Sequence, residues 1–219
     1  MIRRAFLVGL AALSMGFAGF AAVPAKAADS FTQEASSFVS SLGAEAISTI
    51  TAPNLTEGER ISRFRTLFVK GFDIPAIARF VLGRYWRTAT PEQQQEFMRL
   101  FENMVVQTYA QRFKEYSGQQ LRVTGAREEG DGRAIVASQI LQPGGGQPVR
   151  IDWRVAKSAG GDKIYDVIVE GVSMSVTEQQ DFGSVIQRQG NGVDGLMAQL
   201  RDKYGPGAPA LAAEHGVVK

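Results

Sequence analysis

A change of hydrophobic period at Gly118 restricts the fold more than any other feature of the chain. Before it, apolar residues recur every three or four positions, and after it they alternate. Upstream, Phe97, Leu100, Phe101, Met104, Val105, Thr108, Tyr109, Phe113 and Tyr116 trace one stripe of a long helix that opens at Thr90-Pro91-Glu92-Gln93. Thr90 is a capping residue, Pro91 suits the first helical position, and Gln93 can close a capping box. Downstream, Val149, Ile151, Trp153 and Val155 alternate with Arg150, Asp152 and Arg154, the signature of a strand with one buried face. Helices first and strands second, with short turns between the strands, predict an α+β fold and not alternating βαβ units.

The remaining elements fit that plan. Residues 30–50 carry Phe31, Phe38, Val39, Leu42, Ala46, Ile47 and Ile50 at helical spacing, and Pro53-Asn54 stops them. Thr56-x-x-Glu59 caps a second helix with Ile61, Phe64, Leu67 and Phe68 on one side and Gly71 at its end. Asp73, Pro75 and Gly83 frame a short third helix. Four strands are predicted, one beginning at Leu121 and Val123 and ended by the turn at 128–132, and three at 134–141, 149–155 and 163–171, joined by Gly-rich turns into an antiparallel meander. Tyr165, Val167 and Val169 are read as one face of the fourth. Short helices over about 177–189 and 193–203 close the domain.

Residues 1–27 read as a secretory signal peptide. Arg3 and Arg4 precede an Ala- and Gly-rich apolar run, and Ala25-Lys26-Ala27 supplies a cleavage pattern. The expected product is an exported protein with a single domain at 28–204 and a disordered Gly/Pro/Ala tail at 205–219. Removing the signal turns 24 basic against 22 acidic side chains into 21 against 22, a formal charge of −1. No clustered basic surface is left for nucleic acid. The chain has no cysteine, which removes thiol nucleophiles, disulfides, thiolate zinc sites and iron–sulfur clusters. Its single histidine, His215, lies in the tail, so a Ser-His-Asp triad or a histidine metal site has no footing in the domain.

Few motifs carry chemistry. Gly144-Gly145-Gly146 lacks the helix and lysine of a phosphate-binding loop and reads as a hairpin turn. Asp152 and Asp166 could be imagined as an acid/base pair, but Asp152 occupies the polar side of an alternating strand. The unusual feature is the quantity of aromatic surface. The long helix carries Phe97, Phe101, Tyr109, Phe113 and Tyr116, and the sheet carries Trp153 and Tyr165 among Val149, Ile151, Val155, Val167 and Val169. Two such layers can close on a solid core or enclose an apolar pocket, and periodicity alone leaves both open.

Phe72-x-x-Pro75-x-Ile77-Ala78-Arg79-Phe80-Val81-Leu82-Gly83-Arg84-Tyr85-Trp86 resembles the signature of the MlaC (toluene-tolerance) family of periplasmic lipid-binding proteins. Residues 165–174, Tyr165-Asp166-Val167-Ile168-Val169-Glu170-Gly171-Val172-Ser173-Met174, are similar to that family's last strand and its exit. The similarity runs in order over about residues 30–204. It implies a helical N-terminal half packed on a four-stranded antiparallel sheet, with an apolar pocket between the layers. It also implies a monomeric, non-enzymatic carrier without metal or cofactor. Such a carrier moves phospholipid between an outer-membrane lipoprotein complex and an inner-membrane ABC transporter complex. On this reading Phe80, Phe101, Val105 and Tyr109 form the helical wall. Trp153, Val155, Tyr165, Val167 and Val169 form the sheet wall, and Met174 is adaptable lining near the exit. The chain departs from the family where many members have Asn-Tyr-Arg and this one has Thr177-Glu178-Gln179. A hopanoid-type lipid is the alternative cargo, from a branch of the same family. Two other readings of the residues stay open, an acid/base enzyme using Asp166 with Tyr109 and a structural adaptor with a packed core.

Overall fold

The computed structural model describes residues 25–112, 115–189 and 192–206. Most of the expected signal peptide, the end of the aromatic stripe at Phe113, and the tail from residue 207 lie outside the described residues. The helical half comprises α1 (Ala25–Thr51), α2 (Glu57–Gly71), α3 (Ile74–Leu82), a 3-10 turn (Gly83–Arg87) and α4 (Pro91–Arg112). The sheet contains β1 (Gln120–Gly130), β2 (Arg133–Leu141), β3 (Val149–Ser158), β4 (Gly161–Val169) and β5 (Val172–Ser173) in spatial order of sequence. Every pairing is antiparallel. Helices α5 (Met174–Gln189) and α6 (Gly192–Tyr204) follow. The sheet therefore has five strands where four were expected. The extra one is only two residues long, too short to show a period. Tyr116 falls beyond the last described residue of α4.

The helices begin where local chemistry satisfies their first amides. Thr56 N donates to Glu59 Oε2 at 2.8 Å while Glu59 N donates to Thr56 Oγ1 at 3.2 Å, a complete capping box. Thr90 and Gln93 repeat it at 2.9 and 3.2 Å. Asp73 Oδ1 accepts from Ala76 N at 3.1 Å to start α3. That helix ends on Gly83 at φ 57°, a left-handed conformation that glycine adopts without a Cβ clash.

The layers are fastened at two places. Helix α1 lies across β1 and β2, with Phe31, Ala35 and Val39 buried against Ala134, Val136, Val155 and Ile164. It comes so close that a Cβ on Gly43 would stand 2.4 Å from Leu121 Cδ2. At the edge of β4, Asp73 N donates to Ile164 O at 2.8 Å. Lys163 Nζ donates there to the carbonyls of Val69 and Lys70, at 3.0 and 2.6 Å, placing a cation on the negative end of α2.

One face assignment is corrected. The β3–β4 register pairs Trp153 with Val167 and Arg154 with Asp166, then shifts so that Val155 meets Ile164. Tyr165 is the extra residue of this bulge, and it joins the opposite face from Val167. Its hydroxyl donates to Glu129 Oε2 at 2.5 Å, and Arg133 lies 5.6 Å over its ring. Burial, the Glu129 hydrogen bond and the Glu129 charge push its pKa up to about 12. Arg154 completes this polar group, pairing with Glu129 at 2.9 Å. Fully buried Ile164 occupies the apolar place that sequence alternation gave to Tyr165.

Candidate functional site

A domain of this size ordinarily has one contiguous core. Here the buried apolar residues form two clusters. One gathers α2 to α6 around Phe97, Leu82, Leu196 and Met197, and the other joins α1 to the sheet. Among the described residues, Phe72 alone packs against both. Several apolar side chains at the margins of the clusters are only half-buried: Val105 packs against the helical one, and Trp153 and Val167 against the sheet one. Val169 and Met174 are half-buried members of neither cluster. The two layers thus have separate apolar cores, and the boundary between those cores is a seam flanked by half-buried apolar side chains.

Helices α4 and α5 set the geometry at one end of the seam. Phe97, Phe101, Val105 and Tyr109 stand one turn apart on α4, and Phe182, Glu178 and Met174 stand one turn apart on α5. Phe182 fills the lower part of the gap, edge-on to Phe97 at 5.7 Å and to Phe101 at 6.5 Å. Among the described residues, no further ring-to-ring contact continues this packing along α4. Exposure along the same stripe rises from 3% at Phe101 to 41% at Tyr109. Even so, burial pushes the Tyr109 phenol above its ordinary pKa, Arg112 offsetting part of the shift and Glu178 adding to it. The Tyr109 ring is thus open to solvent while its neighbours desolvate the hydroxyl. Glu178 is raised too, first by burial and then by Asp181.

The start of α5 is held by Asp166, 5% exposed. Its Oδ1 accepts from Val167 N at 2.9 Å and Ser175 N at 3.2 Å, and its Oδ2 accepts from Ser173 Oγ at 2.7 Å. Arg154 Nη1 approaches Oδ2 at 3.9 Å. With this carboxylate acting as an anchor for the helix, its oxygens are engaged by structure and it faces a guanidinium, not Asp152. On the sheet, Trp153 Nε1 donates to fully buried Ser138 Oγ at 2.8 Å, and Ser138 donates to Ile151 O at 3.0 Å. This chain of bonds fixes the indole on the seam side.

Among the ten residues expected to line a pocket, the structure brings Val105, Tyr109, Trp153, Val167, Val169 and Met174 to half-buried or exposed positions. Phe101 and Val155 are fully packed, in the helical and sheet clusters respectively. Phe80 is 46% exposed on α3, where its carbonyl accepts from Gln179 Nε2 at 2.5 Å. Tyr165 stands on the other face. The sequence reading missed Phe72, Phe182, Ser138 and Glu178. Phe72 had a signal in its place at the head of the α3 motif, and Glu178 in the Thr177-Glu178-Gln179 departure from the family pattern. A separate cleft of about 330 Å³ between α2, α4 and α6 is lined by the charged Arg65, Glu96, Arg99, Glu102 and Arg201 together with Leu100, Asn103 and Pro206. Among the described residues no His, Cys, Asp or Glu group could hold a metal, and no helix is long and apolar enough to cross a membrane.

These features define a two-layer α+β protein with an apolar seam between its layers. The chain belongs to the MlaC family, whose model, described as MlaC protein, matches residues 41–202. It is 30% identical over 124 residues to the intermembrane phospholipid transport system binding protein MlaC of Haemophilus influenzae, covering 55% of this chain and 57% of that one. The toluene tolerance protein ttg2D of Pseudomonas putida is 32% identical over 111 residues, or 51% of each chain. The matched region thus spans about half the length of these curated relatives. A phospholipid-binding protein from Ralstonia solanacearum, solved in complex with a phospholipid, superimposes with a TM-score of 0.69 at 29% identity. That match covers 78% of this chain and 97% of the other.

Proposed function

We propose that the chain is a periplasmic carrier that holds the acyl chains of a phospholipid in the seam and shuttles it between outer- and inner-membrane complexes. The observation that carries this reading is the divided core, with half-buried Val105, Trp153, Val167, Val169 and Met174 and exposed Tyr109 around the division. The phospholipid in the Ralstonia solanacearum structure supports the choice of cargo. The energetics favour near-complete wrapping of the tails. Two chains of about 15 carbons, at ~0.8 kcal/mol per methylene, represent roughly 24 kcal/mol of apolar surface kept from water. That exceeds the ceiling of about 18 to 21 kcal/mol for non-covalent affinity, so loss of lipid into water is very slow and handover needs a docked acceptor.

Native mass spectrometry of the protein purified from its own periplasm tests the proposal. The expected species begins near Ala28 and carries one phospholipid. Protein that is empty and compact, or full-length in the membrane fraction, would overturn it. Rapid loss of lipid in dilute buffer without an acceptor would remove the need for docking.

A further inference from the structure

We propose that Glu178 reads the polar group of the bound lipid, favouring one that carries an ammonium over one that is net anionic; this rests on the carrier reading above. Glu178 shares a stripe of α5 with Met174, one turn before it, and with Phe182, one turn after it. Phe182 is buried between Phe97 and Phe101, which points the stripe toward α4 and places Glu178 beside Tyr109 at the upper end of the gap. The site is a boundary where packed rings give way to an open phenol.

Glu178 is half-buried, and among the described residues its carboxylate has no hydrogen bond or ion pair. Its neighbour on α5, Asp181, has the same sign. A carboxylate left unpaired beside apolar walls is costly, and more so once a lipid displaces the water around it. A lipid that brings its own cation and N–H donors removes that cost and adds charge-assisted hydrogen bonds. A net anionic polar group at the same depth adds repulsion. Arg112, 5.6 Å over the Tyr109 ring, offers a guanidinium to the phosphate that both kinds of lipid share. Tyr109 therefore has groups of opposite charge near it, Glu178 and Arg112, together complementary to a zwitterionic phosphoethanolamine-type group.

The test uses the mature chain, stripped of lipid and incubated with vesicles of equal phosphatidylethanolamine and phosphatidylglycerol bearing the same acyl chains. Bound lipid is quantified by mass spectrometry after repurification. The expected result is a preference for the ethanolamine lipid of roughly tenfold. Glu178→Gln, close in volume, should narrow it to about twofold, and Glu178→Lys should reverse it; thermal melts confirm that both variants are folded. An equal uptake of both lipids by the natural chain leaves the carrier reading standing and overturns the role of Glu178. So does a preference unchanged in both variants. Failure to load either lipid overturns the carrier reading itself, and the inference falls with it.

Discussion

Replacing Asp166 with alanine should destabilise the protein by about 3 to 5 kcal/mol, because one carboxylate satisfies three donors at the sheet-to-helix junction. Oδ1 accepts from the amides of Val167 and Ser175 at 2.9 and 3.2 Å, and Oδ2 accepts from Ser173 Oγ at 2.7 Å. Loss of a helix cap costs about 1 kcal/mol, and each buried amide left without a partner costs about 1 to 3 kcal/mol. Water admitted into the small hole recovers part of this. The Arg154 contact adds at most about 1 kcal/mol, since it is 3.9 Å long and the guanidinium side chain is 38% exposed. The sum is a large fraction of the roughly 5 to 15 kcal/mol that holds a domain together. Asp166→Asn keeps an acceptor for the amides and should cost only about 1 to 2 kcal/mol. Urea unfolding of both variants at unchanged m-value measures the two losses. The alanine variant should also retain copurifying lipid poorly at temperatures where it remains folded, because Met174 and Glu178 are positioned by the start of α5. An alanine variant within about 1 kcal/mol of the parent, or an asparagine variant as damaged as the alanine one, would refute the anchoring role.

Three further outcomes are expected. Val167→Glu should give a folded, monodisperse protein without copurifying lipid, since an emptied pocket admits water to the new carboxylate; thermal melting and lipid extraction decide it, and an unfolded variant would indicate a closed core there. Phe72→Ala should cost about 2 to 4 kcal/mol in denaturant titrations, because its ring packs on both clusters and lies 4.7 Å from Phe68; a cost below about 1 kcal/mol would mean that the clusters are not coupled through it. Burial raises Glu178 above its reference pKa of 4.5, so the lipid-free protein loses stability as pH rises from that value through the raised one. Glu178→Gln should therefore melt higher than the parent at neutral pH and alike below about pH 4, and an equal melting temperature at both pH values would contradict the burial of this carboxylate.

The parts of the fold that were legible in the sequence are those fixed within a few residues. Thr56 with Glu59, Asp73 with Ala76, and Thr90 with Gln93 each close their hydrogen bonds over three positions, so the helix starts could be placed from sequence. The strand alternation at 149–155 survives because β3 is paired on both sides and keeps its period. What was not legible depends on partners distant in the chain. The bulge that turns Tyr165 away is a mismatch between β3 and β4, and neither strand carries it alone. Helix α5 begins at Met174, three residues before its expected start, where Ser173 Oγ accepts from Val176 N at 3.2 Å as a local cap and Asp166, nine residues before Ser175, adds an acceptor from the neighbouring strand. The Ser173 cap is a local signal, whereas the Asp166 support across the strand turn has no local sequence signature.

The stripe of α4 shows why core and site look alike before folding. Phe101 and Tyr109 lie two turns apart on one face, are both aromatic, and were assigned the same role as pocket wall. Their exposures of 3% and 41% differ because of what α5 places opposite them. Phe182 meets Phe101 with its edge, so that turn closes into core. One turn nearer the start of α5 the facing residue is Glu178, which cannot close the gap without losing its hydration. A carboxylate where a ring would complete the packing keeps the two helices from sealing, and Tyr109 is left as a wall instead of a core residue. A large apolar residue at 178 should extend the packing toward Tyr109, gaining stability while closing the recess. Glu178→Phe is accordingly expected to raise the melting temperature and reduce lipid uptake together. Higher stability with undiminished uptake would show that the recess beside Tyr109 is not where the lipid sits.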